Sequence, residues 1–217
     1  MFHHSDRQFY TMKRLRQLLN RLLGRSEPHV NLDAFSSSQV ASKIWLVERL
    51  EDVLEKQYAP PELGYRIWIL AGWYGLTNLI LRTRAVIPVQ FVRSLDMDPE
   101  CQVVADRVNK FWEWQGWQFK AQTCDVNKLD YSVDTPHIVI NTSVEHIESD
   151  QWFHNIPKGM IVVLQANNMT HDDHVRSYAD SADLLKTFPL AECHYEGSIE
   201  FSYPNQTFKR HMIIGVK

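Results

Sequence analysis

The sequence has few of the residues that define several common protein classes. It contains three cysteines and eight glycines in 217 residues. Cys101, Cys124 and Cys193 are odd in number and far apart, which argues against a disulfide framework or a cysteine-based zinc site and favours a reducing compartment. No run of about 18 apolar residues occurs, so we expect no transmembrane span and a cytoplasmic protein.

Further absences concern charge and short functional motifs. A net charge of −3 gives no reason to expect a general nucleic-acid-binding protein. Residues 1–6 lack the apolar core of a signal peptide. The sequence contains no P-loop, no G-x-S-x-G elbow and no H-E-x-x-H helix. Length and composition allow one sizeable core, and we expect a helical extension over residues 1–59 and one domain over residues 60–217.

The extension contains two predicted helices. Residues 7–26 carry six basic side chains and no acid, and their leucines recur at helical spacing. This amphipathic helix would cap the domain, bind RNA or another acidic partner, or touch an anionic membrane surface. Serine-rich residues 36–38 predict the start of a second helix that runs to about Tyr58. Gln39 and Lys43 lie one turn apart on it and either point at a ligand or, as we expect, are exposed.

A buried strand that leads into a glycine-containing turn is the central feature of the chain. Residues 66–70 read as the strand, residues 71–75 as the turn, and residues 76–81 as the start of a helix. This order is typical of the first β-turn-α unit of a doubly wound sheet. Glycine lets a ligand lie against backbone, and a helix start offers unpaired N–H groups. The glycines do not follow G-x-G-x-x-G spacing, so a turn without a ligand is the alternative.

Strands and helices alternate through the rest of the chain. The predicted strands are 88–95, 118–122, 137–140 and 160–165, and the predicted helices are 99–114, 149–155 and 175–188. Residues 192–201 and 208–216 alternate in polarity around a turn at 203–206, which predicts an antiparallel hairpin. The helix over 99–114 is expected to turn Val103, Val104, Val108 and Phe111 inward.

Carboxylates follow the second and third strands at the points where these strands end. The carboxyl ends of neighbouring parallel strands meet at one edge of a sheet, where such sheets bind ligands. Asp96 is therefore expected to accept hydrogen bonds from both hydroxyls of a ribose, and Asp98 to cap the next helix. Asp125 would accept from the exocyclic amine of an adenine, or it is a solvated turn residue.

Polar residues also cluster after the fourth strand and in a later loop. The candidate catalytic residues are Asn141, Glu145 and His146, with Ser143 between them. Histidine has an ordinary pKa of about 6.5, so His146 would take a proton at neutral pH, and Glu145 would orient it or bind a substrate amine. Alternatively, these residues only start the next helix. The loop residues His171, Asp172, Asp173 and His174 have the atoms to bind a metal, but their close spacing favours a solvated loop, and no metal is predicted.

With this order of elements, the chain resembles the class I S-adenosylmethionine-dependent methyltransferases, whose seven-stranded sheet ends with an antiparallel hairpin. The resemblance covers about residues 60–217 and rests on the turn at 71–75, on Leu95-Asp96-Met97-Asp98-Pro99, on Cys124-Asp125-Val126 and on the strand end at Asn141. It implies an α/β, three-layer Rossmann-like fold preceded by N-terminal helices, with S-adenosyl-L-methionine as cofactor. The implied cofactor contacts are Ala71, Gly72, Trp73, Tyr74, Gly75, Asp96, Met97, Asp125, Val126 and Asn141.

The chain departs from the family pattern at the turn. The family usually has an acid where this chain has Ala71, and glycine where it has Trp73. That acid helps to orient the amino group of the cofactor, and Gln39, Lys43 or Asn141 would have to replace it. Asn141 is not followed by the Pro-Pro-aromatic run of amino-methylating nucleic-acid enzymes. The resemblance therefore implies a methyltransferase for a small molecule or a peptide side chain, with an RNA methyltransferase or a non-catalytic binding subunit as alternatives.

Overall fold

A computed structural model describes residues 30–116, 118–203 and 206–217, and the predicted helix over residues 7–26 lies outside them. The helices are α1 (Ser37–Gln57), α2 (Leu76–Arg84), α3 (Pro99–Val108), α4 (Lys110–Trp114), α5 (Gln151–His154) and α6 (Ser181–Thr187). The strands are β1 (Tyr65–Leu70), β2 (Val89–Asp96), β3 (Phe119–Thr123), β4 (Ile138–Asn141), β5 (Ile161–Asn167), β6 (Glu192–Tyr203) and β7 (Gln206–Val216). Short 3-10 turns cover Leu32–Phe35, Val126–Lys128 and Val144–His146.

The seven strands form one sheet in the order β3-β2-β1-β4-β5-β7-β6. Strands β1 to β5 are parallel to one another, whereas β7 is antiparallel to both β5 and β6. The predicted mostly parallel sheet with a closing antiparallel hairpin is therefore confirmed. The strand order reverses between β1 and β4, which is where open α/β sheets bind ligands.

Alternate residues of β1 belong to two separate hydrophobic clusters, one on each face of the sheet. Ile67 and Ile69 pack with residues of α1, α2 and α3, whereas Trp68 and Leu70 pack with residues of α5 and α6. A strand with apolar side chains on both faces must be covered on both faces, which gives the predicted three layers. Helix α1 contributes to the same cluster as β1, and the domain boundary at residue 59 stays a prediction.

The prediction of one continuous helix over residues 99–114 is wrong. This segment is divided into α3 and α4 at Asn109, which is fully buried. The Asn109 amide donates to Ala105 O and Gly75 O and accepts from the Asn78 side chain at 2.8 Å. Val104 and Val108 point inward as expected, whereas Val103, on the outer side of α3, and Phe111, after the break, are exposed.

The predicted helix over residues 175–188 begins only at Ser181. The residues before it are held at the sheet edge by backbone bonds, from Val175 N to Glu145 O and from Tyr178 N to Asn167 O. Asp180 then caps α6 by accepting from Asp183 N at 2.8 Å. Among the described residues, no helix is both long and apolar enough to span a bilayer.

Candidate functional site

The turn after β1 has left-handed backbone at every second residue. The φ angles are 48° at Ala71, 47° at Trp73 and 73° at Gly75. Only the last of these positions has the glycine that such angles favour, so the turn carries backbone strain at Ala71 and Trp73. Gly72 is required for a different reason, since a Cβ there would lie 2.1 Å from Ser94 Oγ on the neighbouring strand β2.

Asp96 lies directly against this turn, as predicted from the strand order. Its Oδ2 accepts from Trp73 N at 2.9 Å, and its Oδ1 accepts from Asp98 N at 3.1 Å. Burial raises the pKa of the Asp96 carboxyl, and the N–H groups of Asp98 and Trp73 work against that rise. The Met97 N–H also bonds to this carboxylate, and since a carboxylate has about four lone-pair positions, Asp96 keeps acceptor capacity for a ligand. Asp98 caps α3 through Glu100 N at 2.8 Å, which confirms its expected structural role.

The aromatic residues of the turn fix the segment before α1. The Tyr74 ring stacks on Phe35 with 6.1 Å between centroids, and Asn31 N donates to Tyr74 Oη at 3.4 Å. Trp73 packs beside Tyr74 at 5.3 Å and is half-buried. The bulky residues at these positions thus bring the polypeptide before α1 against the turn.

Asn141 ends β4 and pairs in register with Leu70, the last residue before the turn. Its side chain is fully buried, and its Oδ1 accepts from Ser143 N at 2.9 Å. Its Nδ2 has no hydrogen-bond partner among the described residues. A buried donor without a partner costs free energy, and a ligand acceptor at the turn would satisfy it.

The residues after β3 are placed less favourably for a ligand. Asp125 accepts from Asn127 N at 3.0 Å and pairs with Lys128 Nζ at 3.3 Å. The Asn127 N–H lowers the pKa of the Asp125 carboxyl, in keeping with a turn-forming role. Val126 is buried and Met97 is largely exposed. A cavity of about 250 Å³ adjoins this region and includes Leu95, Thr123 and Cys124 in its lining. Neither that cavity nor the one of about 640 Å³ beside residues 128–135 is lined by Gly72 or Asp96.

Lys43 is buried, so the expectation that it is exposed is wrong. Its Nζ donates to Gln39 Oε1 at 2.9 Å. Burial, and then the charge of Arg210, lower the pKa of Lys43, whereas Glu145 raises it. An ammonium group donates but does not accept, so charged Lys43 cannot replace the family's acid, and its bond takes one of the two lone pairs of Gln39 Oε1.

Arg210 and Glu145 complete this buried charge cluster. Arg210 Nη1 lies 3.5 Å from Thr142 O, and its Nε has no partner among the described residues. Glu145 Oε1 accepts from Asn167 Nδ2, and Glu145 is the carboxylate whose charge reaches both cations. The sequence interpretation missed Arg210 and Asn167. The period of two in β7 is the signal for Arg210, because it places that residue on the same face as buried Phe208 and Met212.

His146 lies next to Glu145 but is exposed. Its ring packs edge-to-face on His174, with 4.6 Å between centroids, and its Nδ1 lies 3.0 Å from Asp173 O. The residues after β4 and the polar loop after β5 therefore lie side by side, although the sequence predicted them as two separate features. His171 also belongs to this loop, and its ring lies 5.7 Å from that of His174.

Comparisons with known proteins give a result at the level of structure alone. No family model matches the sequence, and no curated protein sequence matches it. Magnesium protoporphyrin IX methyltransferase (ChlM) from Synechocystis PCC 6803, solved with bound S-adenosylmethionine, matches with a TM-score of 0.56 at 12% identity, over 97% of this chain and 96% of that chain. The N-methyltransferase NodS from Bradyrhizobium japonicum WM9, in complex with S-adenosylhomocysteine, matches with a TM-score of 0.57 at 12% identity, over 93% and 98%.

A third structure carries a different methyl acceptor. Geranyl diphosphate C-methyltransferase from Streptomyces coelicolor A3(2), in complex with Mg²⁺, geranyl diphosphate and S-adenosylhomocysteine, matches with a TM-score of 0.55 at 8% identity, over 88% of this chain and 86% of that chain. This chain has the class I methyltransferase fold. The predicted fold is thereby confirmed, and identities this low establish the fold alone. Within the methyltransferase fold, the turn, Asp96, Asn141 and the Glu145 cluster all lie at the carboxyl ends of β1, β2, β4 and β5.

Proposed function

We propose that this protein is a methyltransferase that uses S-adenosyl-L-methionine and acts on a small molecule or a peptide side chain. The observation that carries the proposal is the direct contact between the β1 turn and Asp96, at the reversal point of a methyltransferase-type sheet. Support also comes from the three methyltransferases of this fold named above, each solved with the cofactor or its product bound.

The described residues fit the cofactor in part. Asp96 would accept from the ribose hydroxyls, and its backbone bonds to the turn and to Asp98 hold it in place. Buried Asn141 offers an unpaired Nδ2 and one remaining lone pair on Oδ1 beside the turn. We assign Asn141, rather than Gln39 or Lys43, to the methionine end of the cofactor because it pairs in register with Leu70 beside the turn and its buried Nδ2 lacks a partner among the described residues. Ala71, Gly72, Trp73, Tyr74 and Gly75 would supply backbone contacts, and Asp125, Val126 and Met97 remain candidates for the adenine end.

Methyl transfer asks mainly that the acceptor be placed in line with the sulfonium methyl group. When bound, S-adenosyl-L-methionine would supply the methyl group and become S-adenosylhomocysteine, and a base would take the acceptor's proton. His146 suits that role because its Nδ1 donates to a carbonyl, which leaves the Nε2 lone pair to accept a proton. Glu145 is buried and its Oε1 accepts from Asn167 Nδ2, so we assign it a positioning role beside His146.

Replacing Asp96 with alanine tests this assignment. Loss of a charged acceptor for two ribose hydroxyls should weaken S-adenosylhomocysteine binding by more than about 1 kcal/mol, or roughly fivefold or more in Kd. Isothermal titration calorimetry of the full chain measures the change.

The matched control is Asp98→Ala, which removes a neighbouring exposed carboxylate that caps α3. It should lower thermal stability slightly and leave the Kd nearly unchanged. Equal losses of affinity in the two variants would show that Asp96 does not bind the cofactor. No heat from the wild-type chain with millimolar ligand would instead favour the non-catalytic alternative.

The other predicted partner and the location rest on the sequence alone. The RNA alternative depends on residues 7–26, outside the described part of the chain, and the three methyltransferases named above give it no support. A cytoplasmic location likewise stays a prediction.

A further inference from the structure

Three potential metal ligands converge beside the sheet edge. Glu145, His146 and His174 each offer one ligand atom, and these atoms all lie within 4.8 Å of one another. Two of the residues belong to the 3-10 turn after β4, and the third to the loop after β5. The backbone bond from Val175 N to Glu145 O, at 2.9 Å, holds the loop against the turn.

The hydrogen bonds of the two histidines determine which nitrogen is free. His146 Nδ1 lies 3.0 Å from Asp173 O, and His174 Nδ1 lies 3.0 Å from Met169 O. A carbonyl oxygen only accepts, so each Nδ1 carries the hydrogen and each neutral ring keeps its lone pair on Nε2. Metal-binding histidines usually have this arrangement, because a backbone carbonyl or carboxylate fixes the ring and its tautomer.

The buried Glu145 carboxylate has one oxygen without a hydrogen-bond partner among the described residues. Its side chain is 1% exposed, and one oxygen accepts from Asn167 Nδ2. The other oxygen, Oε2, is buried and has no hydrogen-bond partner among the described residues. A buried carboxylate oxygen without a partner is costly, and a cation would satisfy it. The Asn167 side chain thus fixes the Glu145 carboxylate, just as the backbone carbonyls fix the two histidine rings.

We propose that Glu145, His146 and His174 bind one divalent transition-metal ion, with Zn²⁺ as the first candidate. Two imidazoles and one carboxylate with an open position are typical of catalytic zinc sites, whereas Mg²⁺ prefers oxygen ligands. Tetrahedral zinc at about 2.1 Å from each ligand would bring the ligand atoms to about 3.4 Å from one another. Rotation of exposed His146 and half-buried His174 provides that movement.

The metal ion would occupy the place where the acceptor is expected. An open coordination position would bind an acceptor oxygen or nitrogen, a role that rests on the proposed function. Metal binding and proton acceptance by His146 use the same Nε2 lone pair, so the first excludes the second. Lys43 and Arg210 oppose a cation near Glu145, and we therefore expect micromolar rather than tighter affinity for Zn²⁺.

Titration of the untagged full chain with Zn²⁺ by calorimetry tests the proposal, with Co²⁺ absorption as an independent readout of the ligands. We expect the wild-type chain to bind one Zn²⁺ ion tightly. Co²⁺ should compete for this site, whereas Mg²⁺ at the same concentration should not. His146→Ala and His174→Ala should each weaken that binding by about 100-fold or more, beyond the 10- to 100-fold that an outer partner costs. Both histidines lie at or near the surface, and thermal melting verifies that the variants fold.

The matched control is His154→Ala, an exposed histidine on α5 outside the three-residue group. It should bind Zn²⁺ as the wild-type chain does. Weak Zn²⁺ binding outside the proposed site should be the same in His146→Ala and His174→Ala as in the wild-type chain. Equal Zn²⁺ binding by the wild-type, His146→Ala and His174→Ala proteins would overturn the proposal, as would an equal loss in His154→Ala. S-adenosylhomocysteine binding, measured separately without metal, shows whether the proposed function fails as well.

Discussion

Replacing Glu145 with alanine is expected to lower the free energy of unfolding by about 1–3 kcal/mol, the cost of leaving the buried Asn167 amide without its acceptor. Glu145 is the acidic partner that raises the pKa of both buried cations, Lys43 and Arg210. Without it, two like charges share a buried region, and Asn167 Nδ2 loses its acceptor. Denaturant unfolding monitored by tryptophan fluorescence measures the loss.

A second substitution separates the charge effect from lost packing. Lys43→Met removes one buried cation while keeping an unbranched chain, so it should recover part of the stability that Glu145→Ala loses. The surface control Glu48→Ala breaks the exposed pair with Arg84, at 3.2 Å, and should cost less than about 1 kcal/mol. If the changes in unfolding free energy of Glu145→Ala and Lys43→Met simply add in the double variant, these two charges do not interact.

Replacing Gly72 with alanine should destabilise the protein by about 1–3 kcal/mol, as overpacking of a filled site does. The new Cβ would lie 2.1 Å from Ser94 Oγ and 3.3 Å from Ser94 Cβ, and Ser94 is buried in the central part of the sheet. Rotation of the Ser94 hydroxyl relieves the closest contact, but Ser94 Cβ stays in place, so the turn must also shift slightly from β2, which lengthens the bond from Trp73 N to Asp96. We therefore expect weaker S-adenosylhomocysteine binding as well as a lower melting temperature.

A compensating substitution makes this prediction specific. Ser94→Gly removes both atoms that the new methyl group would meet, at the cost of a glycine within a strand. The double variant Gly72→Ala/Ser94→Gly should be more stable than the sum of the single changes predicts, and it should regain ligand affinity. Additive losses in the thermodynamic cycle would show that Gly72 is needed for a reason other than the contact with Ser94.

The fold could be predicted because its signals are local. Each parallel strand is a short apolar run with a polar end, and Ile67 and Trp68 face opposite layers as period two requires. Asp98 could be recognised as a cap because Pro99 and Glu100 follow it. Asp96 could be placed beside the turn, since the carboxyl ends of adjacent parallel strands coincide.

The errors arose where distant residues determine the local structure. Asn109 breaks a helix because Asn78 and Gly75 provide partners for its side chain. The hydrophobic pattern of α1 allows Lys43 to be exposed, but it is buried. The charges that shift its pKa belong to Arg210 and Glu145, which come from the distant second half of the sequence. The meeting of His174 with Glu145 depends on how the loop after β5 returns to the sheet, which residue spacing does not encode.

The central claim is that the β1 turn and Asp96 hold the adenosine of the cofactor. A crystal structure of the full chain with S-adenosylhomocysteine tests it most directly. We expect both ribose hydroxyl oxygens within about 3 Å of the Asp96 carboxylate, with the ligand's methionine end beside Asn141. A ligand bound elsewhere, with Asp96 contacting only Trp73 N and Asp98 N, would contradict the claim.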